Sequence, residues 1–261
     1  MSKKTYISSD NRSKELVNAF QELGMRHSIS NVFTDYLILI SCAVSNSVDK
    51  LHFPEREKMY LDTIKKYNES EQKKFVEIHK KVIAVMEQSL YEKDVLGEVF
   101  HALNLSNSWN GQFFTPMPVA RLMADITFKD AEKEVNEQGF ITIQEPTCGS
   151  GVMVIAAANT LFSKKLNPSQ NMCVLAVDND IRCAMMAYIQ LSYLGIPAVV
   201  VHGDSMLVKD YSRFYTPVYL LNGWLWKAQM SLTDTISEDD TKLRKEMLKL
   251  YEKIVLEEKN G

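Results

Sequence analysis

From Phe140 onward the chain alternates short apolar runs with helical segments, and this alternation limits its fold more than any other feature. Phe140 to Gln144 reads as a strand and Val152 to Phe162 as a helix rich in Ala and Ile. Asn167 and Pro168 mark a loop. Met172 to Val177 is a second strand, and Ile181 to Leu194 a helix stopped by Gly195 and Pro197. Ala198 to Val201 is expected as a third strand and Val218 to Leu221 as a fourth. Strands separated by helices imply parallel βαβ units, which hold ligands at the carboxyl ends of their strands.

Upstream, residues 1–105 read as helical. Leu16, Val17, Phe20 and Leu23 recur at helical spacing, as do Phe75, Ile78, Val82 and Met86. Ser30 or Asn31 could cap the apolar helix that follows. Pro54 suits the first turn of another, with Glu55 near its positive end. No Pro- or Gly-rich linker follows, so this region is expected to pack directly on the next one. A charged amphipathic helix is expected over Ser237 to Glu258, with Leu243, Met247, Leu250, Tyr251 and Ile254 on one face. The expected domains are 1–105 (helical), 106–232 (α/β) and 233–261 (C-terminal helix).

Hydrophobic residues make up 46% of the 261, enough for a sizeable core. The apolar stretch Val32 to Val44 is too short to span a bilayer and carries Asp35. Met1 to Asp10 is polar and lacks an apolar signal region, so a cytoplasmic location is expected, with no membrane contact. Cys42, Cys148, Cys173 and Cys183 form no Cys-x-x-Cys pair and the five histidines fit no zinc spacing. Buried, reduced thiols and no metal are expected. Net charge is −3 and the pI about 6.0, a balance that argues against strong unaided DNA binding, where phosphate neutralisation dominates affinity.

Glu145-Pro-Thr-Cys-Gly-Ser-Gly151 joins the first strand to the helix after it. Gly149 and Gly151 let the backbone approach a ligand closely, and the free N–H groups of the next helix can face a carboxylate. The dinucleotide fingerprint is not met, since Val154 stands where its third Gly would be. Asp178 ends the second strand, where an acidic side chain can accept ribose hydroxyls; Asp180 suits the cap of the following helix. Asp204 ends the third strand within His-Gly-Asp-Ser, which is also ordinary turn chemistry.

Gly111-Gln-Phe-Phe-Thr-Pro116, about thirty residues before the glycine turn, completes a pair. In this order the two segments resemble the S-adenosylmethionine (SAM) contact motifs of adenine-N6 DNA methylases, namely the catalytic subunit of type I restriction–modification systems and shorter phage- and plasmid-borne relatives. The likeness covers Gly111 to Trp224. It implies an α/β, Rossmann-like SAM-dependent methyltransferase domain with an incomplete parallel sheet, preceded by an all-helical domain. It implies SAM as cofactor, held by Phe113, Phe114, Thr115 and Pro116 over the methionine end and by Glu145, Pro146, Thr147, Cys148, Gly149 and Gly151. Asp178 and Asn179 would meet the ribose and Asp204 the adenine amino group.

In such enzymes an Asn/Asp/Ser-Pro-Pro-aromatic motif after the fourth strand holds the flipped base. Two altered versions stand here. Asn222-Gly223-Trp224 follows the expected fourth strand and is preferred on that placement; Thr216-Pro217-Val218-Tyr219 keeps one Pro and the aromatic, with Pro217 and Tyr219 as the weaker candidates. The resemblance implies methyl transfer to the exocyclic amine of adenine in DNA. The alternative is a catalytically degenerate SAM-binding module acting through protein or DNA contacts, in a regulatory or anti-restriction role. Four strands instead of seven leave target recognition to the N-terminal helices, to a partner such as a specificity or restriction subunit, or to nothing at all.

Overall fold

The computed structural model describes residues 11–105 and 114–227, together with 241–243, 245, 246 and 249. Phe113 and most of the expected C-terminal helix lie outside the described residues. Five helices come first: α1 (Asn11–Gly24), α2 (Ile29–Val48), α3 (Phe53–Ile64), α4 (Glu69–Gln88) and α5 (Val95–Ala102). Each helical stripe read from the sequence is buried: Leu16, Val17, Phe20 and Leu23 on α1, and Phe75, Ile78, Val82 and Met86 on α4. Asn68 closes a capping box with Glu71, which satisfies two of the first-turn donors of α4. Pro54 lies in the first turn of α3, as expected. Ser30 and Asn31 fall inside α2, whose N-cap position is Ser28, so neither caps it.

Helix α2 is the centre of the helical region. Its 20 residues are long and apolar enough to cross a membrane by length and composition, with mean hydropathy 1.2, and 56% of that window is buried within the protein. Asp35, buried on α2, accepts hydrogen bonds from the Tyr67 hydroxyl (2.8 Å) and the Lys66 ammonium (2.9 Å). A buried carboxylate with two such donors belongs to a protein interior.

The α/β part contains α6 (Met117–Thr127), α7 (Ala131–Gln138), β1 (Ile141–Glu145), α8 (Val152–Ser163), the short α9 (Pro168–Asn171), β2 (Met172–Asp178), α10 (Ile181–Tyr193), β3 (Ala198–Asp204), β4 (Lys209–Tyr215) and the short α11 (Pro217–Leu221) and α12 (Trp224–Lys227). The sheet runs β1-β2-β3-β4; β1, β2 and β3 are parallel and β4 is antiparallel to β3. Register puts Ile141, Val174, Ala176, Val200 and Phe214 on the face packed in the same core as α8, α10 and the helical region. Cys173, Val199, Val201 and Tyr215 face the other way, in a second core with Tyr219, Trp224, Leu225 and Leu243. All four cysteines are free and buried, as expected.

One strand expectation needs correction. Val218 to Leu221 is not a strand but helix α11. Pro217 presets the φ of a first helical turn, and extended Thr216 precedes it, so the β-favouring run after it is overridden. The fourth strand is instead Lys209–Tyr215, a charged segment with little apolar alternation. It is zipped to β3 through Val199 opposite Tyr215, and Thr216 finishes the pairing: its hydroxyl donates to the Ile196 carbonyl and accepts from the Ala198 N–H, both at 2.9 Å.

Candidate cofactor site

Three strand ends and one aromatic side chain converge at the carboxyl side of the parallel sheet. Strand β1 ends at Glu145, whose carboxylate accepts from the Thr147 N–H (3.3 Å). The chain then turns through Gly149 (φ +54°) and Gly151 (φ +97°), backbone states that an L side chain rarely adopts. A Cβ on Gly151 would meet Ala187 only at ordinary van der Waals distance, 3.4 Å, so its positive φ is what calls for glycine there. Pro146 and Thr147 are exposed on the outer side of the turn. The first N–H groups of α8 have no carbonyl one turn back within the helix.

Cys148 behaves differently from its neighbours. Its backbone N–H donates to the Val177 carbonyl (2.8 Å), which ties the turn to β2, while its thiol is buried in the core. Burial above all, then the nearby carboxyl of Asp178, pushes that thiol well above its ordinary pKa.

Asp178 links β2 to the glycine turn. One carboxylate oxygen accepts from the Gly149 N–H (2.8 Å) and the other from the Asp180 N–H (2.9 Å). Each oxygen keeps capacity for a further donor, and the side chain is half-buried and reachable. Burial raises its pKa, with backbone donors at Asp180 and Gly149 working against the rise. Asp180 caps α10 by accepting from the Arg182 N–H (2.9 Å), and exposed Asn179 sits between them. This donor set fits SAM: N–H groups for the carboxylate, and Asp178 for the ribose hydroxyls.

Phe114 closes the turn from outside. A Cβ on Gly149 would sit 3.2 Å from its ring, and the ring is stacked on Phe100 (5.5 Å between centroids) and meets the edge of His101 (4.9 Å). Thr115 and Pro116 lead directly from it into α6, with Pro116 at the N-cap position. Asp204, on the next strand end, accepts from the Met206 (2.9 Å) and Leu207 (3.0 Å) N–H groups and so holds the turn between β3 and β4. Among the described residues no group of three or more metal-ligating side chains comes together.

Sequence reading missed a buried set behind the turn. Asp94, at the N-cap of α5, accepts from the Gly97 N–H (3.0 Å), from the Gln190 amide (2.8 Å) and from the Ser150 hydroxyl. Gln190 also donates to the Ser150 carbonyl (2.8 Å) and accepts from the Leu96 N–H (3.1 Å). The signal lay in Asp94-x-x-Gly97, an N-cap spacing with a glycine where the carboxylate folds back.

The structure does not bring the base-holding candidates to this place. Because β4 runs antiparallel, α11 and α12 lie at the amino end of β2 and β3. The separation is the length of β2, about 20 Å at the usual rise per residue. Trp224 is buried, donates its indole N–H to the Ser169 carbonyl (3.1 Å) and packs edge-on against Phe140. Tyr219 is buried in the same core, Pro217 begins α11, and Asn222 is exposed at its C-terminal cap. The preference for Asn222 and Trp224 rested on a strand that is a helix. Asn222→Ala is therefore expected to leave SAM affinity and thermal stability unchanged, whereas Trp224→Ala costs about 3–5 kcal/mol of stability in a denaturant titration.

No curated protein matches the sequence. A solved structure described as a class I SAM-dependent methyltransferase from Listeria monocytogenes is similar over 75% of this chain and 54% of its own, at 14% identity and a TM-score of 0.42. The type I restriction–modification methyltransferase subunit of Streptococcus thermophilus is similar over 71% and 57%, at 14% identity and a TM-score of 0.31. The chain thus spans little more than half the length of each. The sequence model for N-6 DNA methylase matches residues 91–219, from just before Asp94 to just before Asn222. Over that span, just under half of the chain, the sequence is similar to the N-6 DNA methylase family.

Proposed function

We propose that the chain binds SAM at the carboxyl end of its parallel sheet and serves methylation of adenine N6 in DNA. The observation that carries this reading is the bond between the Gly149 N–H and Asp178. It joins a glycine turn, built to approach a carboxylate, to an acidic strand end, built to accept a ribose. SAM supplies the methyl group. The chain's part is to fix the cofactor's orientation, with Phe114 excluding water above the turn. Transfer to an exocyclic amine depends mainly on positioning, so a second set of groups must hold the base in line.

That second set lies outside the described residues in this reading and comes with a partner subunit or with DNA itself. The near-neutral helical region and net charge of −3 favour DNA contact through such a partner. A second reading, a SAM-binding module without transfer activity, is favoured by the position of Asn222 and Trp224 at the far end of the sheet. The two separate on labelled methyl transfer from SAM to unmethylated DNA, with Asp178→Ala as control. Label on adenine N6, lost in the control, supports the enzyme. SAM binding with no label, alone or with a candidate partner subunit, supports the module.

A further inference from the structure

We infer that Asp94 is a positioning residue for the cofactor turn, so that helix α5 is part of the SAM site although it touches no cofactor. This rests on the SAM reading above and adds what holds the turn from behind. Gly149 and Gly151 both occupy the left-handed region, and a turn with two such glycines has many conformations open to it. Something must select one. Ser150, the residue between them, is fully buried. Its hydroxyl donates to Asp94 and its carbonyl accepts from Gln190, which is itself fixed by Asp94 and by the Leu96 N–H. The turn is thereby held at three places: by Asp178 at Gly149, by Val177 at Cys148, and by the Asp94–Gln190 pair at Ser150.

The same helix fixes the outer wall. Phe100, one and a half turns after Asp94, stacks on Phe114, and the Arg182 guanidinium lies over the Phe100 ring, 5.4 Å from its centroid. Gly97 is required here, because a Cβ would collide with the Asp94 carboxylate. The helical region and the cofactor turn therefore cannot move independently, and SAM binding tightens α5 by the same amount that an ordered α5 tightens SAM.

The test compares SAM affinity, by calorimetry, with melting temperature in five proteins: wild type, Asp94→Ala, Asp94→Asn, Gln190→Met and Val82→Ala. Val82 is buried in α4 away from the turn and controls for general destabilisation. Asp94→Ala weakens SAM at least about tenfold, because a buried donor set loses its acceptor. Asp94→Asn recovers most of the affinity, since its oxygen still accepts from Gly97 and Gln190 and its amide can donate to the Ser150 hydroxyl. Gln190→Met, a volume-conserving change, weakens SAM severalfold and keeps the inference testable should Asp94→Ala not fold. Val82→Ala lowers the melting temperature without changing affinity. Unchanged affinity in Asp94→Ala or Gln190→Met, or an equal loss in Val82→Ala, overturns the positioning role while wild-type binding stands. No SAM binding by wild type overturns the cofactor reading and this inference with it.

Discussion

Asp178→Ala lowers the affinity for SAM by roughly two orders of magnitude, as the loss of a charged acceptor and of a support for the turn together require. The carboxylate fixes the turn through the Gly149 and Asp180 N–H groups and still offers lone pairs to two ribose hydroxyls. Asp178→Asn falls between, keeping one acceptor and losing the charge. Calorimetry reads both; a twofold change or less in the Ala variant removes Asp178 from the site. A pH series adds a second, opposite signature. Burial holds this carboxyl above its ordinary pKa, so the fold favours its protonated form. Its contribution to stability is present at low pH and is lost as pH rises through the raised folded value. SAM needs the ionised form, so affinity moves the other way and weakens as pH falls through the same value.

The largest expected effect on stability lies elsewhere. Asp49→Ala costs about 3–5 kcal/mol, the range for leaving one member of a buried ion pair behind. Asp49, fully buried at the end of α2, accepts from the Arg56 guanidinium (2.7 Å) and from the ring of His52 (2.8 Å). Arg56 is itself buried, donates to Ser45 and to the Arg213 carbonyl on β4, and lies over the Phe214 ring. This is how the helical region grips the edge of the sheet. In Asp49→Ala/Arg56→Met the charge is gone too, and urea titration should find it more stable than Asp49→Ala alone. Burial pushes the Asp49 carboxyl up, but the hydrogen bond from His52 and the charges of Arg56 and His52 outweigh it and hold it below the ordinary value. Its stabilisation is therefore present above the ordinary carboxylate range and is lost as pH falls through the lowered folded value.

Much of the fold could be read from residue order. The strands at Ile141, Met172 and Ala198, and the helices between them, follow from apolar runs bounded by Gly and Pro, and these signals act locally. The fourth strand could not be read that way. Lys209–Tyr215 carries Lys, Asp, Tyr and Arg, and forms because β3 offers an edge, not because its own residues demand it. Val218–Leu221 shows the reverse: β-favouring residues turned helical by a preceding proline. The base-holding candidates stand apart from the glycine turn for the same reason, since reversing β4 carries residues 217–227 to the other end of the sheet. Around the turn, Gly149, Gly151 and Asp178 stand out in the sequence as exceptions to local propensity. Asp94 and Gln190 could not, because their role depends on a contact between residues 96 positions apart.

Amide hydrogen exchange of the wild-type chain with and without SAM tests the central claim most directly. The account predicts slowed exchange at 145–151, at 178–180 and along 95–100 on adding SAM, with no change at 219–227. Protection confined to 219–227, or no protection anywhere at saturating SAM, would contradict it.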